Sequence, residues 1–229
     1  MSKAIVQWDK SAKAYAESQE CSEFAESNKM VVHSRFSKLH GEYVLDLGCG
    51  FGCYTEYFRS IGAKIIGVDG SAEMINIAKD KYPDCDYKIA DITQRLPFDS
   101  NTFDIVFCNQ VLMDIEDIAP IFAEAKRILR NGGTFYFSIV HPAFYDSEWQ
   151  TDENGYKYAK AMKAYIDKYS FTQTFWGETA HFHRPLSYYL NLASDNGLIL
   201  THVEEPKSYD GVRKNKDLPL FIFFEYKKI

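Results

Sequence analysis

Val44-Leu45-Asp46-Leu47-Gly48-Cys49-Gly50-Phe51-Gly52 is the stretch whose reading decides the fold. A short apolar run ends in an acid and passes at once into three glycines at alternate positions. The run reads as a buried strand. The glycines read as a tight turn where the backbone approaches another group closely. The amphipathic segment 53–60 that follows reads as a helix. Strand, glycine turn and helix N-terminus form a corner suited to cradling a nucleotide.

Outward from that corner, strand and helix alternate from residue 42 to about 141. Strands are expected at 43–47, 64–68, 86–90, 103–108 and 134–140. Helices are expected at 53–60, 72–81 (with Ser71 as N-cap) and 117–129, the last ended by Asn131-Gly132-Gly133. This rhythm predicts an α/β fold, a doubly wound and mostly parallel seven-stranded sheet with right-handed crossovers. Residues 1–40 read as an N-terminal helical cap, with Trp8, Ala12, Tyr15 and Ala16 at helical spacing and a second helix over 27–39. Residues 142–184 break the rhythm. Rich in Tyr, Phe and Trp, they are expected to form a helical insertion or lid over the sheet edge. A helix at 185–196 and strands at 198–204 and 219–226 complete the chain, the last two paired antiparallel. The whole reads as one domain.

The chain has 229 residues, of which 46% are hydrophobic and 25% charged, enough for a substantial core without staples. No run is long enough to span a membrane and the N-terminus lacks a signal-peptide core, so a cytoplasmic location is expected. A net charge of −6 argues against a nucleic-acid partner. Cys21, Cys49, Cys53, Cys85 and Cys108 show no pairing framework or zinc spacing and read as reduced thiols. No acidic cluster suggests a metal.

The glycine spacing separates nucleotide classes. The dinucleotide fingerprint Gly-x-Gly-x-x-Gly would put its last small residue at 53, which is Cys; here the third glycine comes at 52. Asp46-Leu-Gly-Cys-Gly-Phe-Gly instead resembles the first motif of the class I S-adenosylmethionine-dependent methyltransferases, in particular type 11-like small-molecule enzymes. The resemblance continues through Asp69 at the end of strand two, Ala90-Asp91-Ile92, Leu96-Pro97-Phe98 before Phe103-Asp104-Ile105-Val106, and Leu129-Arg130-Asn131-Gly132-Gly133. Each motif alone is weak; five in order are specific.

The resemblance implies a Rossmann-like methyltransferase fold with S-adenosyl-L-methionine as cofactor and S-adenosyl-L-homocysteine as product. Gly48 and Gly50 would let the backbone approach the methionine part. Asp69 would accept hydrogen bonds from the ribose hydroxyls, Asp91 from the adenine amino group, and Ile92 would offer its amide. Asn109 and Gln110 stand where ligands of open α/β sheets bind. The same mapping implicates Asp46, Cys49, Gly52, Gly70, Ser71, Met74 and Val111, and Tyr15 as a residue closing over the cofactor.

The acceptor side carries fewer signals. His141, after strand five, is the candidate general base, since imidazole titrates near neutral pH. Tyr145, His183 and Arg184 are candidate substrate contacts, and His181 belongs to the same cluster. The aromatics of the insertion suit a small apolar or aromatic acceptor and a cationic sulfonium. The expected activity is methyl transfer to such an acceptor. The alternatives are an NAD-dependent oxidoreductase and a non-catalytic cofactor-binding partner subunit.

Overall fold

The computed structural model describes residues 2–19, 22–208 and 213–229. Cys21 lies outside them. The glycine corner forms as its residues dictate. Strand β1 (Tyr43–Leu47) is buried along Val44–Leu47, and Gly52, at φ +83°, is the N-cap of α3 (Cys53–Ser60). Strand β2 (Lys64–Asp69) leads to α4 (Ala72–Lys81), where the Ser71 hydroxyl accepts from Met74 N at 3.1 Å. Then come β3 (Asp86–Ile89), β4 (Phe103–Asn109), a 3-10 turn (Leu112–Asp114), α5 (Ala119–Ile128) and β5 (Leu129–Val140).

These strands and two later ones, β10 (Leu198–Glu204) and β11 (Phe221–Lys228), make one seven-stranded sheet in the order β10-β11-β5-β4-β1-β2-β3. All neighbours pair parallel except β11, which is antiparallel to both β5 and β10. The fold class is therefore the expected one. The chain winds from β1 out through β2 to β3, then returns to β4 on the other side of β1. The ends of β1 and β4 thus form a topological switch point, where a crevice opens. Phenylalanine fills the sheet's faces: Phe58, Phe103, Phe107, Phe122, Phe135, Phe137, Phe221, Phe223 and Phe224 are all within 2% of full burial. A sheet covered on both faces needs near-continuous apolar strands, and β11 has them in Phe221-Ile222-Phe223-Phe224.

The insertion differs from expectation. Residues 142–184 carry no helix but two β-hairpins, β6 (Glu148–Thr151) with β7 (Lys157–Ala161) and β8 (Tyr169–Gln173) with β9 (Thr179–His183). The period of two was present in Tyr169-Ser-Phe-Thr-Gln and Thr179-Ala-His-Phe-His. The first hairpin also carried its turn chemistry. Asp152 Oδ1 accepts from Asn154 N and Tyr156 N, and Gly155 sits at φ +77°. Further shifts are smaller. Asn131-Gly132-Gly133 does not end α5 but lies inside β5, with Gly132 at φ +77° beside a register shift in the β4–β5 ladder. The second N-terminal helix is α2 (Glu23–Arg35), four residues earlier than expected because Ser22 caps Ala25 N. The first is α1 (Lys3–Gln19), and α6 (Leu186–Asp195) precedes β10.

Candidate cofactor and acceptor sites

Two adjoining chambers open at the C-terminal ends of β1 and β4. The first is lined by Asp46, Gly48, Cys49, Gly50, Asp69, Gly70, Met74, Asp91, Ile92, Asn109, Gln110, Val111 and Tyr15. Thirteen of the fifteen sequence-expected cofactor positions thus converge on one cavity. The other two stand behind it: Gly52 and Ser71 cap α3 and α4 and do not line the chamber.

The glycines divide their work. A Cβ on Gly48 would stand 2.6 Å from Val111 Cγ2, so this glycine is needed for packing against the segment after β4. At Gly50 the nearest atom to such a Cβ is Met74 Sδ at 4.0 Å, so the space beside its backbone belongs to the chamber. Both have positive φ, which disfavours any side chain. Asp69 ties the corner together: Oδ2 accepts from Gly50 N at 2.9 Å and Oδ1 from Ser71 N at 2.8 Å. Burial pushes its carboxyl up, while these amides pull it back. Asp91 uses Oδ1 for Thr93 N and Oγ1. Asp46 is buried with Thr55 Oγ1 donating at 2.6 Å, and burial raises it to about 7.

The N-terminal helix roofs this chamber. Ser2, Ala4, Ile5 and Trp8 line it. Asp9 anchors the helix by accepting from Ser71 Oγ at 2.6 Å, and Ile5 packs so close to Gly70 that a Cβ there would meet it at 2.6 Å. Of the α1 residues in this wall only Tyr15 carries a recognisable signal; the others carry no motif.

The second chamber shares Trp8, Tyr15, Phe51, Cys53, Tyr54, Asn109, Gln110 and Asp114 with the first. It continues through Phe24, Asn28, Met113, Tyr145, Gln173, Trp176, Thr179 and His181. Its walls are aromatic. Tyr15 meets Trp8, Phe51 and Trp176 edge-on, at ring centroid distances of 5.2, 5.9 and 4.8 Å. Burial pushes Tyr15 up and Cys53 to about 12, so both stay neutral at physiological pH. Two buried polar atoms here have no protein partner, Asn28 Nδ2 and Gln110 Oε1. The network fixes their sense. Ser138 Oγ donates to Asn109 Oδ1 at 2.6 Å and accepts from Gln110 Nε2 at 2.9 Å, and Tyr54 donates to Asn28 Oδ1 at 2.6 Å. A donor and an acceptor are left for a ligand. Gln110 is also held at φ +57°, an uncommon backbone for a residue other than glycine.

Three expected acceptor-side residues are placed elsewhere. His141 does not line either chamber. Its Nε2 is 2.7 Å from Glu205 Oε1 and its Nδ1 accepts from Ala143 N at 3.1 Å, so neither ring nitrogen is available as a base. Arg184 is buried and donates to the carbonyls of Leu112, Ile115 and Glu116, gripping the 3-10 turn instead of a substrate. His183 Nε2 contacts Tyr165 O at 2.9 Å, and its ring stacks on Tyr169. Only Tyr145 of the expected acceptor contacts lines the second chamber.

The residues fit S-adenosylmethionine: an open cradle at Gly50, carboxylates at the ends of β1 and β2, and the unpartnered Gln110 Oε1. The comparisons agree. Residues 45–137 match the family model described as Methyltransferase domain. The chain is 32% identical over 133 residues to a malonyl-[acyl-carrier protein] O-methyltransferase from Hamiltonella defensa, covering 56% of this chain and 51% of that one. It spans about half the length of the curated relatives it matches. A candidate S-adenosylmethionine-dependent methyltransferase from Listeria monocytogenes superposes with a TM-score of 0.72 at 27% identity, over 86% of this chain and 97% of that one. An S-adenosylmethionine-dependent methyltransferase from Mesorhizobium loti shares the fold, with a TM-score of 0.76 at 24% identity, over 92% and 100%. Residues 45–137 are thus a methyltransferase domain, in a chain with the fold of the class I S-adenosylmethionine-dependent methyltransferases.

Proposed function

We propose that the protein transfers a methyl group from S-adenosylmethionine to a small acceptor with an apolar or aromatic body, held in the second chamber. The observation that carries this reading is the joining of the two chambers. They meet across Tyr15, Asn109, Gln110 and Asp114, so a ligand in one faces a ligand in the other. The bound cofactor supplies a methyl already activated on a sulfonium. The chain's own contribution is then to align and to exclude water. Asp69 and Asp91 would hold the nucleoside, and the open space beside the Gly50 backbone would admit the amino-acid end. Trp8, Tyr15, Phe51 and Trp176 would keep water from the junction and face the positive charge.

A cytoplasmic location is part of the proposal. It is supported by unpaired thiols at Cys49, Cys53, Cys85 and Cys108. Among the described residues no helix is long and apolar enough to cross a membrane.

The test is a transfer assay with methyl-labelled S-adenosylmethionine and a panel of small phenols, carboxylates and amines. Label should pass to at least one acceptor, with S-adenosylhomocysteine formed in equal amount. Tight cofactor binding without transfer to any member would favour the non-catalytic partner reading.

A further inference from the structure

The second chamber holds a histidine–carboxylate pair that no motif marks. His181 Nδ1 lies 3.3 Å from Asp114 Oδ1, and both side chains are buried. The imidazole is clamped between Tyr145 and Phe171, at ring centroid distances of 5.3 and 4.9 Å. Its Nε2 has no hydrogen-bond partner among the described residues. Asp114 lines both chambers, while His181 lines the second. The pair therefore stands at the boundary that the methyl group must cross. Asp114 is itself fixed, because Arg184 grips the carbonyls of Leu112 and Ile115 on either side of it.

Resting on the methyltransferase reading, we propose that His181 is the catalytic base, with Asp114 as its positioning residue, and that the acceptor is a small aromatic ring carrying a protic hydroxyl. The chamber chemistry selects among acceptors. A carboxylate arrives deprotonated, needs no base and would want a cation. The lysine at this chamber, Lys29, is already paired with Glu26 at 2.7 Å. A hydroxyl must lose its proton as the new bond forms, and a base at the junction serves that need. The aromatic walls favour a ring, and Asn28 Nδ2, which lines the second chamber and not the first, can donate to a further polar substituent on it.

The balance closes. The hydroxyl oxygen forms a bond to the methyl carbon, and the sulfur keeps the electron pair of the broken carbon–sulfur bond. The hydroxyl proton goes to His181 Nε2. The imidazolium so formed is stabilised by the Asp114 carboxylate, then releases its proton to water.

The titratable and charged groups around His181 are Asp114 on the 3-10 turn, Tyr145 and Asp146 after β5, Tyr15 on α1, His183 on its own strand and Arg184 just beyond it; Cys53 and Lys29 line the same chamber. From β8 the facing ring is Phe171. Burial pushes Tyr145 up to about 12 and Tyr15 higher still, so the phenols remain neutral. Burial raises Asp114 on balance, against the opposing pull of its contact with His181.

The experiment compares the parent chain with His181→Gln and Asp114→Asn, using catechol, phenol, benzoate and benzylamine as probes. The parent should methylate catechol or phenol and neither of the others. His181→Gln should lose about 100-fold or more in kcat with KM little changed, and the acid limb of its pH–rate profile should vanish. Asp114→Asn should lose less, with partial rescue in Asp114→Glu. S-adenosylhomocysteine affinity in His181→Gln should stay within about threefold of the parent, which also reports folding. Independently of turnover, catechol added to the S-adenosylhomocysteine complex should shift the imidazole nitrogen resonances of His181. Unchanged kcat in His181→Gln, or a parent that binds S-adenosylhomocysteine yet methylates only benzoate, only benzylamine or none of the four, overturns this proposal and leaves the cofactor reading standing. Failure of the parent to bind S-adenosylhomocysteine removes both.

Discussion

Asp69 and His181 both stand at the paired chambers, but they reach them by different routes. Asp69 ends a strand of the sheet, and its position follows from the register of β2 on β1. His181 sits on a hairpin outside the sheet and is oriented by rings from other segments, Tyr145 and Phe171. The first chamber is built from backbone turns at strand ends, the second from side chains delivered by α1, α2 and the two hairpins. Backbone recognition imposes fixed spacing on a sequence. Side-chain recognition by remote segments imposes almost none.

The largest expected effect probes how deeply the backbone-built side is buried. Burial disfavours the charge on Asp46 and pushes its carboxyl up to about 7 from an ordinary value of 3.8. A carboxyl raised on folding contributes stability that is fully present below the unfolded value and is lost as pH rises through the folded one. Measured against Asp46→Asn by urea unfolding, the parent should lose up to about 4 kcal/mol between pH 4 and pH 7 and then level off. A pH-independent difference would place Asp46 in contact with water.

Next in size is Asp69→Ala. It removes a carboxylate that holds two backbone amides and faces the chamber. Charge-assisted hydrogen bonds of this kind contribute about 1.5–3 kcal/mol each. Affinity for S-adenosylhomocysteine should therefore fall about 100-fold by calorimetry, with acceptor affinity unchanged. Unaltered cofactor affinity would break the assignment.

On the other side, Trp176→Ala should raise the acceptor KM about tenfold, because a large aromatic wall is lost. Affinity for S-adenosylhomocysteine, which has no sulfonium charge for this ring to face, should stay within about threefold, since Trp176 lines the second chamber and not the first. If both affinities fell together, the two chambers would have to be treated as one.

The smallest effect is expected at His141. With both ring nitrogens engaged by Glu205 and Ala143, His141→Gln should leave kcat within about threefold of the parent. Burial lowers this histidine, so the fold favours its neutral form. Its contribution to stability should be present above about pH 6.5 and fade as pH falls below that value. A large loss of turnover in His141→Gln would return the base to the end of β5.

Much of this molecule was legible in its sequence, and the legible part has a common cause. Gly48, Gly50, Asp69 and Asp91 all reach the first chamber because they stand at or just past strand ends, at set distances along the chain. The sheet was found because strand and helix alternate with their own periods. His181 was named only within a cluster, and Asp114 was not named at all, because their pairing joins residues 67 positions apart through a fold the local pattern does not encode. His141 drew notice as a histidine at the right edge of the sheet. Sequence position gave the edge but not the side chain's direction, which Glu205 determines. The hairpins were missed for another reason. Aromatic density in 142–184 masked a period of two that Asp152 and Gly155 punctuate.

The most direct test of the central claim is a calorimetric titration of the intact protein with S-adenosylhomocysteine and, separately, with NAD. The architecture around Gly50 and Asp69 predicts one-to-one binding of S-adenosylhomocysteine and no measurable heat with NAD. Binding of NAD without S-adenosylhomocysteine would contradict the methyltransferase account at its root.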